Sequence, residues 1–174
     1  MSTATQARPE PPMTQKTKKP NYPHTMTRPT DRTLHIERSF DASQDRVWRA
    51  MTDPKLLAQW WGRGNKLTVE KYEFVKGGAW RFVEHSDKAD HGFSGEFREI
   101  TPKDRVSMTF GWDGMEGHFI LQTIDLTPTA DGKTRMVCTS VYETAKDLDV
   151  MVGYGMEAGM AESYAALDRL LATL

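Results

Sequence analysis

The sequence predicts an α+β domain over residues 31–174, a curved antiparallel sheet of about seven strands around a long C-terminal helix. Three observations predict it. Short segments alternate apolar and polar residues between clusters of turn residues, the period-two signature of strands. The links between successive segments are too short for the crossover that a parallel return needs. The stretch from Asp147 to Leu174 carries the one long helical stripe, so it has to cover the concave face of the sheet.

Taken in order, Leu34, Ile36 and Phe40 share one face of a first strand, with Arg38 as the polar exception. Asp41 to Ser43 then offer N-capping oxygens, and Val47, Trp48, Ala50 and Met51 give a short helical stripe. Asp53-Pro54 ends that helix and starts a second, because proline suits a first turn and cannot continue the previous helix. Leu56, Leu57, Trp60 and Trp61 follow, and Gly62 stops the helix. Six more strands are expected: Lys66–Val75, Ala79–His85, Gly92–Ile100, Arg105–Trp112, Glu116–Thr127 and Thr134–Glu143. Asp147 then caps one helix that runs to about Leu174.

Residues 1–30 differ in kind. Six of the nine prolines lie there (Pro9, Pro11, Pro12, Pro20, Pro23, Pro29), with Arg8, Lys16, Lys18, Lys19 and Arg28 against the single acid Glu10. With no apolar stretch to bury, the segment cannot offset its ordering entropy and is expected to be a disordered tail. For the whole chain, 23 basic residues nearly balance 24 acidic ones, which argues against a nucleic-acid or anionic-membrane binder working through bulk charge. No apolar run approaches the roughly 20 residues of a membrane span. The single cysteine, Cys138, excludes an internal disulfide and fits a cytoplasmic setting.

Several stretches resemble one family when taken together and in order. They are "IERSFDASQDRVWRAMTDP" from Ile36, Trp60-Trp61-Gly62, Gly77-Gly78-Ala79-Trp80-Arg81, "GEFREITP" from Gly95, and "GMEAGMAESYAALDRLL" from Gly155. The chain is similar over Thr33–Leu174 to the SRPBCC or START-like helix-grip superfamily. The nearest branch is that related to the C-terminal domain of the activator of the heat-shock protein 90 ATPase. The resemblance implies the helix-grip fold, a hydrophobic cavity under the C-terminal helix, and no shared catalytic set.

The aromatic and Met side chains are the leading ligand-site candidates. Trp80, Phe82 and Glu84 share a strand face, as do Met108, Phe110 and Trp112, and the last helix adds Met151, Tyr154, Met156 and Met160. Methionine is flexible and polarizable, which suits a surface that accommodates varied apolar shapes. His118, Gln122, Ser140 and Tyr142, with Glu84, are the polar groups expected to face inward, although both faces of strand Glu116–Thr127 are partly apolar and either could be the inner one. Trp60, Trp61 and Arg63, flanked by glycines, read as a lip over the opening. Each of these residues also fits a plain core or surface role.

Other chemistry has little support. His85, Asp87, Asp90 and His91 sit together at a hairpin tip, but their spacing matches no metal motif and polar tips are ordinary. "GFSGE" around Ser94 is not the G-x-S-x-G elbow, and Gly153, Gly155 and Gly159 miss G-x-G-x-x-G by one residue inside a helix. No metal, cofactor or catalytic motif is expected, and a homodimer is the default assembly. Three functions remain open. The first is a binding module for a small hydrophobic or amphipathic molecule. The second is a cofactor-independent cyclase- or hydrolase-type enzyme using Glu84, His118, Gln122 and Tyr142. The third is an interaction protein partnering a chaperone ATPase.

Overall fold

A computed structural model describes residues 23–174. The expected tail therefore lies, for residues 1–22, outside the described residues. Its last part is a strand, β1 (Thr25–Thr30), which pairs antiparallel with β2 (Thr33–Phe40). Composition hides this strand because only Met26 packs on the core, while Pro29 falls where the register shifts between Thr27 and Thr30. An edge strand tolerates a proline there, since a missing N–H breaks no inner ladder.

Two helices follow, α1 (Gln44–Thr52) and α2 (Pro54–Trp60). Asp53 caps α2, its side chain accepting from the Lys55 N–H at 2.8 Å, with Pro54 in the first turn. Then come β3 (Lys66–Tyr72), β4 (Ala79–His85), β5 (Asp90–Thr101), β6 (Arg105–Trp112), β7 (Phe119–Pro128) and β8 (Thr134–Val141). The eight strands form one open antiparallel sheet in the order β1-β2-β8-β7-β6-β5-β4-β3. Successive strands from β3 to β8 are hairpin neighbours. The link from β2 to β3 is different, because it joins one side of the sheet to the opposite edge, and α1 and α2 make that journey across the concave face.

The expected single C-terminal helix is two: α3 (Ala145–Gly153) and α4 (Met156–Leu171). The break falls at Tyr154-Gly155, where Gly155 takes φ +76°, a left-handed conformation that glycine adopts at little cost. Thr144, not Asp147, caps α3, and its hydroxyl accepts the Asp147 N–H at 3.1 Å.

Register lines up the core in rows across the sheet. Ile36, Cys138, Ile124, Val106 and Ile100 form one row, and Leu34, Ser140, Gln122, Met108 and Phe97 form the next. The even-numbered face of β7 is therefore the inner one, while Phe119 and Leu121 point outward and are about half exposed. Helix α4 lies against this core through Tyr164, Leu167 and Leu171. Arg38 on β2 ties it down, donating from Nη2 to both Asp168 carboxylate oxygens at 2.8 and 2.9 Å with its guanidinium 4.3 Å above the Phe40 ring. Such pairs hold the buried charge by stacking as well as by hydrogen bonding.

Gly95, opposite Trp80, lets β5 approach β6 closely. A Cβ there would come to 1.8 Å from the Thr109 carbonyl oxygen and 2.8 Å from Trp80 Nε1. Gly95→Ala is expected to lower unfolding free energy by about 3 kcal/mol in urea denaturation. Gly153→Ala, which meets nothing within 4 Å, should leave it unchanged or raise it by up to about 1 kcal/mol.

Candidate functional site

The concave face carries a partly open cavity of about 80 Å³. Its roof is α1 and α2, through Trp48, Met51, Leu57 and Trp60, with Trp61 beside them; its floor is β3 to β7, including Tyr72, Trp80, Phe82, Met108 and Gln122. Of the residues expected to bind a ligand, Trp80, Phe82, Met108 and Gln122 line it, as do Trp60 and Trp61 of the expected lip. Trp60 is anchored, its indole N–H donating to the Ala50 carbonyl at 2.9 Å and its ring stacked on Tyr164. Trp61 sits edge-on to Phe93 and Phe82, at 4.9 and 5.6 Å between centroids.

Polar groups in the wall are few. Gln122 Nε2 donates to Ser140 Oγ at a long 3.4 Å. The Tyr72 hydroxyl donates to the Thr52 carbonyl at 2.9 Å, and burial pushes its pKa up, so it remains a donor. The indole N–H of Trp80 is buried without an acceptor among the described residues, an uncommon state for an interior donor.

Glu84 and Arg63 correct the expected reading. Glu84 is 1% exposed, yet it is not a free polar group of the cavity wall. Arg63 Nε and Nη2 donate to its Oε1 at 3.1 and 2.8 Å, and Asn65 Nδ2 donates to the same oxygen at 2.6 Å. Arg63 is correspondingly not a free lip. It takes φ +56° between Gly62 (φ +122°) and Gly64 (φ +81°), and its N–H donates to Ser163 Oγ of α4 at 3.0 Å. Its side chain occupies the space that a Cβ on Gly159 would need, 2.3 Å from Arg63 Cδ. Gly159 and Ser163 are small because the arginine passes between α4 and the sheet.

The remaining candidates lie elsewhere. Phe110, Trp112, His118, Tyr142 and Met151 border a second, smaller groove of about 10 Å³. Tyr154 is 71% exposed and packs edge-on to Trp112 at 5.4 Å, because it falls in the break between α3 and α4. Met156 accepts from the Tyr142 hydroxyl at 3.6 Å, and Met160 packs on the core; neither lines the main cavity or the second groove. The Met-rich half of the C-terminal segment thus does not face the main cavity. Trp48, Met51, Tyr72 and Phe74 do, and sequence reading missed them. Trp48 and Met51 were visible as part of an apolar helix stripe, but nothing local says that this helix crosses the sheet.

At the hairpin tip His85 is fully engaged, Nδ1 with Asp90 at 2.9 Å and Nε2 with the Thr68 hydroxyl at 2.8 Å. By contrast, His118, Glu143 and Asp147 converge, a grouping with no signal in their spacing. Burial pushes the Asp147 carboxyl up, but hydrogen bonds from His118 and Thr144 outweigh it and hold the group below its usual range. Cys138 is buried at the centre of the sheet, and desolvation pushes its pKa up to about 12.

The chain matches the family described as activator of Hsp90 ATPase homolog 1-like protein over residues 41–172. No protein of curated description matches it. Solved structures do. A Rhodobacter sphaeroides protein is 28% identical and superposes with TM-score 0.78, covering 87% of this chain and 99% of its own. An Arthrobacter aurescens protein, solved by NMR, is 26% identical with TM-score 0.77, covering 86% and 92%. One from Chromobacterium violaceum is 26% identical with TM-score 0.68, covering 79% and 96%.

Two outcomes follow from this geometry. Arg63→Ala strands a buried carboxylate and should cost about 2–3 kcal/mol, whereas the double variant Arg63→Ala/Glu84→Leu should recover at least about 1 kcal/mol of it in chemical denaturation. Additive losses would show that the pair does not couple. Cys138 is buried and desolvation holds it as the thiol, so the native protein should resist a thiol-modifying reagent that labels it at once in denaturant.

Proposed function

The chain belongs to the activator of Hsp90 ATPase homolog 1-like family, within the helix-grip superfamily, and from that premise we propose that it holds a small apolar or amphipathic molecule in the cavity under α1 and α2. One observation carries the reading: an 80 Å³ interior space walled by Trp, Tyr, Phe and Met with a few placed polar groups. That is the usual composition of a ligand site, although ordinary sites enclose about 300–1,000 Å³. A ligand larger than a few heavy atoms therefore has to displace wall side chains. Met51 and Met108 are the flexible ones. The Gln122 amide favours a molecule with an acceptor atom on an apolar body.

An acid–base enzyme working in this cavity has less behind it. Of its four expected residues only Gln122 lines the space, since Glu84 is neutralised by Arg63 while His118 and Tyr142 border the other groove. Partnership with a chaperone ATPase rests on the family description alone.

Four of the five tryptophans line the cavity, and Trp112 does not. Titration with p-cresol, followed by NMR of the indole N–H signals, should shift Trp48, Trp60, Trp61 and Trp80 saturably and leave Trp112 still. Met108→Trp should fill the space and weaken binding at least about tenfold. Shifts confined to Trp112, or no saturation, would sink the proposal.

A further inference from the structure

The second groove ends at the one group of three metal-competent side chains among the described residues. His118 opens onto β7 just after Gly117, which turns the chain at φ +81°. Glu143 follows β8, and Asp147 lies in the first turn of α3. Leu121 pairs with Val141, so the antiparallel ladder carries the start of β7 alongside residue 143. His118 Nδ1 is 3.1 Å from Asp147 Oδ2 and 3.9 Å from Glu143 Oε2, and one donor atom from each residue lies within 4.8 Å of the others.

We propose that His118, Glu143 and Asp147 bind one divalent transition-metal ion of the zinc class. An imidazole nitrogen with two carboxylate oxygens is a borderline donor set, suited to zinc, cobalt or manganese rather than to calcium or magnesium, which prefer oxygen alone. Bonds of about 2.0–2.2 Å at near-tetrahedral angles put donor atoms about 3.3–3.6 Å apart. The two separations from His118 bracket that value, and the two carboxylates lie within 4.8 Å of each other, so binding draws the three side chains together.

The ligands are held in place from behind. Asp147 is buried and fixed at the capped start of α3, where Thr144 binds its N–H. Glu143 Oε1 takes the Phe119 N–H at 3.3 Å, which leaves Oε2 for the ion. Outer contacts of this kind orient metal ligands. The positive end of α3 opposes a cation, but two carboxylates exceed the half charge of a helix terminus. The fourth position faces the groove, whose 10 Å³ is room for about one water between Phe110, Trp112 and Met151. Three protein ligands with a fourth side open to an apolar groove is the pattern of sites that present the ion to a small molecule. The ordinary alternative is a surface ion pair of protonated His118 with both acids.

The test uses tag-free protein titrated with Co²⁺ by visible absorption and with Zn²⁺ by calorimetry. The expected result is one ion per chain, with d–d bands of a low-coordinate cobalt centre that Zn²⁺ abolishes. His118→Gln and Glu143→Gln, both at half-exposed positions, should each weaken binding at least about tenfold. Circular dichroism checks that they fold, and two variants keep the test standing if one does not. His85→Gln, which removes the other His–Asp pair, should change nothing. No saturable uptake, or uptake that survives the first two variants, overturns the proposal. The cavity reading under α1 and α2 does not depend on the outcome.

Discussion

A carboxylate buried on the concave face governs the geometry around it. Glu84 has almost no contact with solvent, and a lone charge in such a place would be strongly destabilising. Its cross-strand neighbours, Leu67 and His91, do not supply the partner. It comes from the turn after α2, which has to bend through three successive positive-φ residues to deliver Arg63. A non-glycine residue in that region is uncommon, and the flanking glycines take the rest of the bend. The arginine in turn sets how close α4 can lie, which explains Gly159 and Ser163. One ion pair thus fixes a turn, a strand and a helix relative to one another.

The same arrangement decides which elements own the interior. Helix α4 is pinned by Arg38 to Asp168, by Arg63 to Ser163 and by Arg46 to the Leu171 carbonyl, and its buried residues pack on the core. Space remains instead where α1 and α2 span the sheet between β2 and β3. Wide aromatic rings meet there edge to face, Trp61 on Phe82 at 5.6 Å and Trp48 on Phe74 at 6.0 Å. Such contacts leave gaps that aliphatic side chains would fill.

Strands β4 and β6 were legible to both ends, because strict alternation is bounded there by glycine, aspartate and proline turns. The order of elements and the helix-grip fold were legible too, and six of the sixteen residues lining the cavity were among the candidates. What escaped depends on long-range geometry. Strand β1 has one core side chain and a proline, so its only support is pairing with β2. The break after α3 turns on the φ of Gly155, which in sequence looks like a small residue on a helix face. Arg63 and Glu84 are 21 residues apart, and their pairing follows from the strained turn, not from either residue's surroundings. His118 meets Glu143 and Asp147 only because β7 and β8 hold one particular register.

The pairing of β2 with β8 carries a meaning for biogenesis. Leu34 lies opposite Ser140, and Ile36 opposite Cys138. Strands β3 to β8 can zip as successive hairpins while the chain emerges, since each partner is adjacent in sequence. Strand β2 pairs at once with β1, but its second partner, β8, arrives only when most of the chain is made, and closing a loop of that length is slow. The leading hairpin must wait with one ladder edge open, a state prone to wrong pairing. Completion of the sheet is therefore tied to arrival of the last strand, and α3 and α4 follow directly behind it to seal the face.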